Sequence, residues 1–327
     1  MPSTITHSYF AMDVYDRLPI KRREFLMNDK ERLKLSAQSL DPLFFYNITN
    51  FKKGKKVREF GEFFHNNKCF LFLETLINYI KYNDYGHNPE IIAYLYGMIC
   101  HYVLDSSAHP YIIYKTGSFD KNNPLTYKYN HLHGEVETLL DNYFIQEREQ
   151  VKPWKFNCID YCFQQAGNLS EELSEVINFA FQETFGIKNM SNFYCKATAQ
   201  MRFFFKVFRE DSLGIKKIGY KIVDIVTPKK YLRKTVLSYH QPVRNVSNLL
   251  NLKHEKWYNP TNKRLSSKES FIDIYLASMF RAVNIIEEID KYIYEDKKIN
   301  LKTLLKNYSY ITGVDCSKNK ELKYFSF

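Results

Sequence analysis

Two fragments of the chain carry residue types at spacings that could do chemistry. In His101-Tyr-Val-Leu-Asp105-Ser-Ser-Ala-His109, three groups able to ligate a metal stand at i, i+4 and i+8. Residues four apart lie about 40° from eclipsed on an α-helix, so these three fan along one face and can serve more than one ion. An imidazole supplies a borderline-soft nitrogen suited to zinc, and a carboxylate between two imidazoles can bridge neighbouring ions while balancing their charge. The second fragment, His131-Leu-His133-Gly-Glu135-Val-Glu137, holds two i, i+4 pairs, His131 with Glu135 and His133 with Glu137. Only one pair can face inward. The apolar residues that follow, Val136, Leu139, Leu140 and Phe144, put the buried stripe nearer Glu137, which precedes Leu140 by three and Phe144 by seven. His133 and Glu137 are therefore the expected inward pair.

Alone, a His and a carboxylate four apart are most often an ion pair or a polar contact. Two such motifs within forty residues, one of them extended by a third ligand, change the balance. Burying that many ionisable side chains with no cation to join them would cost several kcal/mol or force shifted pKa values. A metal site is the expectation.

The elements that must position these groups read as helices nearly throughout. Residues 89–109 carry apolar groups at three- and four-residue spacing, and the pattern predicts a helix that stops at Pro110. Ser170 is placed to cap a helix with the stripe Leu173, Val176, Ile177, Ala180 and Phe181, ended by Gly186. A further helix is expected from Ser191 through Met201, Phe204, Phe205 and Phe208, before Gly214. Another is expected over 268–292, with Ile274, Ala277, Val283, Ile286 and Ile289 on one side. Alternating β-branched runs bounded by Asn-Gly or Asp-Gly turns are absent, so no sheet of consequence is expected. The least regular stretches are 42–56, 111–130 and 214–232; the second could wall a site, and the third reads as a basic, solvent-facing connector. The fold class is all-α: residues 1–150 form the metal-bearing helical core, and 151–327 form a basic helical region that completes the same domain or makes a second lobe.

With the ligand types in view, the chain resembles the zinc-dependent phospholipase C family, whose metal architecture is shared with the single-strand zinc nucleases. Members read, in order, an early His, an Asp in an Asp-Pro or Pro-Asp turn, an isolated His, His-x3-Asp with a following His, then His-x3-Glu. Here His7 lies in Thr-His-Ser-Tyr-Phe-Ala, Asp41 in Ser-Leu-Asp-Pro-Leu, and His65 in Gly-Glu-Phe-Phe-His; His101, Asp105, His109, His133 and Glu137 complete the order. The resemblance covers residues 1–150. It implies that Asp41, His65, His101 and Asp105 hold one zinc and that His109, His133 and Glu137 hold a second. His7 and Asp105 would contribute to a third, which in secreted relatives is completed by the amino and carbonyl groups of an N-terminal Trp. This chain departs from that pattern, because Met1-Pro2 precedes His7 without a Trp, so the third ion is left open or completed by water or another group. The interval from Asp105 to His109 is shorter than in the secreted enzymes, and the connection from His109 to His133 is longer. Zinc ions about 3.5–4 Å apart can clamp a phosphate's non-bridging oxygens and bring a water's pKa toward 7. The implied activity is phosphodiester hydrolysis, with Asp41 as the carboxylate that orients or deprotonates the attacking water.

Bulk properties are compatible with this reading. The 327 residues are 45% hydrophobic and 25% charged, with 26 Tyr and 26 Phe against only 11 Gly and 10 Pro, which favours aromatic cores in long elements. Residues 1–150 hold 18 basic and 18 acidic groups, whereas 151–327 hold 29 and 18, so the whole excess of positive charge is late. That half could approach an anionic partner such as a phospholipid surface, although no strongly amphipathic surface helix with an exposed Trp is evident. The six cysteines form no CxxC pair and read as reduced thiols, with Cys158 and Cys162 buried. No basic-then-apolar leader and no membrane-spanning run is present, and a cytoplasmic location is expected. Two readings compete with the phospholipase. One is a single-strand nuclease using the same ions, with Tyr127 or Tyr129 as a stacking ring. The other is a metal-stabilised scaffold or lipid-surface binding protein without turnover.

Overall fold

The computed structural model describes residues 4–229, 231, 233–241, 243, 245–318 and 321–326. Fourteen α-helices and one two-stranded antiparallel ribbon, Trp257–Asn259 with Asn262–Ser267, are found among the described residues, so the fold is all-α. One continuous cluster of buried apolar side chains runs from Ile5 to Cys316 and draws on both halves of the chain.

The axis of the molecule is the 28-residue helix Pro89–Thr116. Its start is specified locally: the Asn88 side chain accepts from the Ile91 N–H, and Pro89 occupies the first turn, where no donor is needed. It is apolar on nearly all sides, as a helix enclosed by others must be. Helices Thr4–Arg17, Lys30–Ser36 and Phe271–Tyr294 pack around it. Against expectation it does not stop at Pro110 but continues to Thr116, where Gly117 turns the chain at φ +71°. A proline inside a helix leaves the carbonyl four residues back without its donor, here Ser106 O. Gly313, at φ +63°, approaches that carbonyl so closely that a Cβ there would lie 2.4 Å from it, so the C-terminal segment closes over the gap.

Gly97 permits a second close approach. A Cβ on it would lie 2.5 Å from Ser36 Cβ and 2.8 Å from Ala37 N, so the absent side chain sets how near Lys30–Ser36 can come. The first helix is held by a remote carboxylate. Asp141, on helix Leu132–Glu149, accepts from both the Thr6 N–H and the Thr6 hydroxyl at 2.9 Å. It thereby satisfies one of the free donors of the helix start.

The remaining helices largely match expectation. Ser170 caps Glu171–Phe185 and Gly186 ends it at φ +72°, with all five residues of the expected stripe buried. Helix Met190–Phe204 passes into a short π-helical turn, Phe205–Arg209. Ser270 and Asp273 form a reciprocal capping box for Phe271–Tyr294. On that helix Ala277 is exposed, and the inward stripe is carried by Ile274, Ser278, Ala282, Ile285 and Ile289. The stretch 214–232 is not an irregular connector: it contains the helix Ile215–Val226, none of whose residues is buried. No described helix is long and apolar enough to cross a membrane.

Candidate metal centre

The long helix brings His101, Asp105 and His109 to one face, and four other elements converge on it. His7 comes from the first helix and Asp41 from the 3-10 turn Asp41–Phe45. His65 ends the helix Phe51–Phe64, and His133 and Glu137 come from Leu132–Glu149. Contacts of 3.9 Å or less link all eight. His7 Nε2 lies 3.0 Å from Asp105 Oδ1, and His101 Nε2 lies 3.0 Å from Asp105 Oδ2 and 3.9 Å from Asp41 Oδ2. His65 Nε2 meets Asp41 Oδ1 at 3.1 Å. On the other side, His109 Nδ1 is 3.4 Å from Asp105 Oδ2, and Glu137 Oε1 stands 3.5 Å from His109 Nε2 and 2.9 Å from His133 Nε2. Three triads result, His7–His101–Asp105 and Asp41–His65–His101, which share His101, and His109–His133–Glu137, each with its ligand atoms within 4.8 Å of one another. The alternative pair, His131 and Glu135, sits at the outer edge, 3.9 Å apart and partly exposed.

Main-chain carbonyls fix the imidazoles. His65 Nδ1 donates to Gly61 O at 2.6 Å, His101 Nδ1 to Ala37 O at 2.9 Å, and His109 Nδ1 to Tyr310 O at 2.9 Å. With a proton on Nδ1, each Nε2 is turned toward the carboxylates inside, and once free of its own proton it offers a lone pair to a metal. Lone pair facing lone pair is repulsive unless a proton or a metal ion lies between them. In keeping with that, His101 Nε2, Asp105 Oδ2 and Asp41 Oδ2 are buried and make no hydrogen bond, and neither does His7 Nδ1. Unpaired buried polar atoms of this kind are costly in a dry interior. The donor set is imidazole nitrogen and carboxylate oxygen, which suits zinc. The residues present therefore fit such an ion.

The electrostatics agree. Burial alone would raise the carboxyls, but the imidazoles outweigh it: His101 and His65 lower Asp41, while His101, His109 and His7 hold Asp105 well below the ordinary range. Glu137 is also lowered, against burial, chiefly by His133. Burial opposes charge on His109, yet Asp105 and Glu137 overcome it and push it up to about 9. His133 moves the other way, lowered by burial despite Glu137. A group of carboxylates that stays ionised while buried demands positive charge from its surroundings.

Seven of the eight side chains are no more than 8% exposed; His133, at 29%, marks the open edge. The connection 117–131 lies beside it. There Tyr129 packs over Gly117 and against Phe325, and Tyr127 packs against Phe119. Sequence reasoning missed Tyr310. Its N–H donates to His65 O, its carbonyl holds His109, and its ring lies 5.3 Å from that of His65 and 5.5 Å from that of His101. Ala37 and Gly61 were equally silent, since they act through backbone carbonyls that any residue possesses.

Fold and site together define an all-α protein with a buried, multi-histidine, multi-carboxylate centre fit for divalent metal. The chain belongs to the zinc-dependent phospholipase C family, which matches residues 6–177. No match was found among curated proteins or among solved structures.

Proposed function

We propose that this protein is a zinc-dependent phosphodiester hydrolase acting on phospholipids. The observation that carries the reading is the set of inward-facing imidazole nitrogens gathered on buried carboxylates at 3.0 to 3.9 Å. In this reading Asp41, His65, His101 and Asp105 hold one ion, and His109, His133 and Glu137 hold a second. His7 would join Asp105 at a third, with His101 close enough to be shared.

When bound, zinc supplies Lewis-acid polarisation of a phosphoryl oxygen and acidifies water. The protein's own part is orientation, charge and dryness. Asp105, between His7, His101 and His109, keeps the two halves of the centre in register. Asp41 has one oxygen hydrogen-bonded to His65 and the other free of hydrogen bonds, which suits it to orient a water and take its proton. The carbonyls of Ala37, Gly61 and Tyr310 hold the rings, so little reorganisation is needed when charge develops. His133, at the open edge, lies nearest an incoming phosphate.

The test is elemental analysis of the purified protein together with turnover of a chromogenic phosphocholine diester and of single-stranded DNA. Zinc with diester turnover, both lost in His101→Ala, is expected. Cleavage of DNA alone would replace the substrate assignment by a nuclease, and zinc without turnover of either would make the centre a structural one.

A further inference from the structure

The helix Ile215–Val226 is amphipathic in the wrong sense for a soluble protein. Ile215, Ile218, Ile222 and Ile225 recur at the three- and four-residue spacing of one helical stripe. Such a stripe ordinarily packs on a core, yet these side chains are 64%, 62%, 62% and 83% exposed. Leu213 and Val226 flank the stripe at 80% and 78%, and Gly219 within it faces open space.

The helix is nonetheless firmly placed. Asp224 accepts from the Lys234 and Thr235 N–H groups and from the Thr235 hydroxyl. The chain that follows is bound to the metal-bearing helix: Thr138 donates to Val236 O, and Asn142 donates to Gln241 O. Val236 packs on Gly134, the neighbour of His133, and Asp224 and Arg233 are both felt electrostatically by His131. The exposed stripe thus sits on the edge of the molecule where the metal centre opens. A groove of about 590 Å³ separates the two helices, with Lys217 and Lys221 on one wall and Leu132 and Val136 on the other.

We propose that the helix Ile215–Val226 is an interfacial anchor for an anionic phospholipid bilayer, its isoleucine stripe set among the acyl chains and its lysines against the headgroup phosphates. The inference deepens the phospholipase reading and rests on it for the identity of the surface. Charge favours this occupant: Lys216, Lys217 and Lys221 lie on the helix and Lys229 just beyond it. Lys216 and Lys217 also donate to the Glu210 and His240 carbonyls, which leaves their charge in place, and the one acid of the helix, Asp224, is turned to the Lys234 and Thr235 N–H groups. An apolar stripe bordered by lysines is the pattern that lies flat in a membrane interface. A second copy of the chain is the poorer occupant. Twelve residues make a helix about 18 Å long, whose single face offers far less than the ~800 Å² per partner of a stable interface. Anchored in this way, the pocket edge at His133 meets headgroups without the lipid leaving the bilayer.

The experiment is co-sedimentation of the full chain with phosphatidylcholine vesicles, with and without phosphatidylserine. It compares the wild type with Ile218→Glu/Ile222→Glu/Ile225→Glu, and turnover of a soluble short-chain phosphocholine diester is measured in parallel. The wild type should bind the anionic vesicles more tightly than the neutral ones, by roughly fivefold for each lysine engaged. The triple variant should lose about 100-fold or more in vesicle affinity. Its diester turnover should be unchanged, because the three side chains are exposed and none belongs to the ligand set. Ile218→Leu/Ile222→Leu/Ile225→Leu should bind as the wild type does.

Equal binding by the triple Glu variant, no preference for anionic vesicles, or no wild-type binding would overturn the anchor. So would light scattering that gave a wild-type dimer and a monomeric variant. Vesicle binding without diester turnover leaves the anchor standing and sinks the hydrolase reading. Turnover without vesicle binding does the reverse.

Discussion

Asp105 is the residue on which the centre turns, since its two oxygens address His7 on one side and His101 and His109 on the other. Asp105→Asn keeps the size but removes the charge that offsets divalent ions. It should lower metal content by more than one ion per chain and turnover by roughly 100-fold or more, as read by elemental analysis and diester kinetics. His109 makes a pH prediction. In metal-free protein its folded pKa is about 9, above the ordinary value near 6.5, so its stabilising contribution is complete below pH 6.5 and lost as pH rises through 9. Urea unfolding of chelator-treated protein should therefore show stability falling by up to about 3 kcal/mol across that window, with the slope absent in His109→Gln. Zinc must displace the same proton, so zinc affinity should climb over the same range.

At the scale of elements, the site depends on how closely helices approach. Gly97 lies one turn before His101, and the segment it packs against supplies Ala37 O, the acceptor for His101 Nδ1. Gly97→Ala would push Lys30–Ser36 away and loosen that hydrogen bond. It should cost about 1–3 kcal/mol in thermal or chemical unfolding and weaken zinc binding about 10- to 100-fold, although the residue touches no ligand. Asp141 plays a comparable part for His7. Burial raises it to about 7, yet it accepts two hydrogen bonds from Thr6, the residue before His7. Asp141→Ala should destabilise by about 2–4 kcal/mol, whereas Asp141→Asn, which keeps an acceptor for Thr6, should cost less in the same denaturation series.

For the whole molecule, helices from distant parts of the chain close around a charged centre that makes few hydrogen bonds of its own. Chelation should therefore cost stability as well as activity. Zinc at a thousandfold excess over its dissociation constant contributes about 4 kcal/mol. Its removal should lower the unfolding temperature by several degrees in a calorimetric scan, and re-addition should restore it. The C-terminal half takes part in this closure. Tyr310 holds His109, and Gly313 covers the carbonyl bared by Pro110, so changes near residue 310 should register at ligands two hundred positions away.

The helical class, the caps at Ser170 and Gly186, and the inward choice of His133 and Glu137 over His131 and Glu135 were legible from residue order alone. The reason is that periodicity and capping are local properties of a chain. Position was not legible. Pro110 reads as a stop because a proline removes a donor, yet the helix runs on to Thr116, with Gly313 of the distant C-terminal segment packed over the carbonyl left bare. The solvent exposure of 214–232 was expected, but the helix Ile215–Val226 and its stripe Ile215, Ile218, Ile222 and Ile225 were not, since the basic character of the stretch masked its period. Tyr310, Ala37 and Gly61 bear on the metal centre through carbonyls and a ring brought there by tertiary packing. Backbone acceptors have no residue signature, so the fold alone decided that the histidines would turn their Nε2 atoms inward.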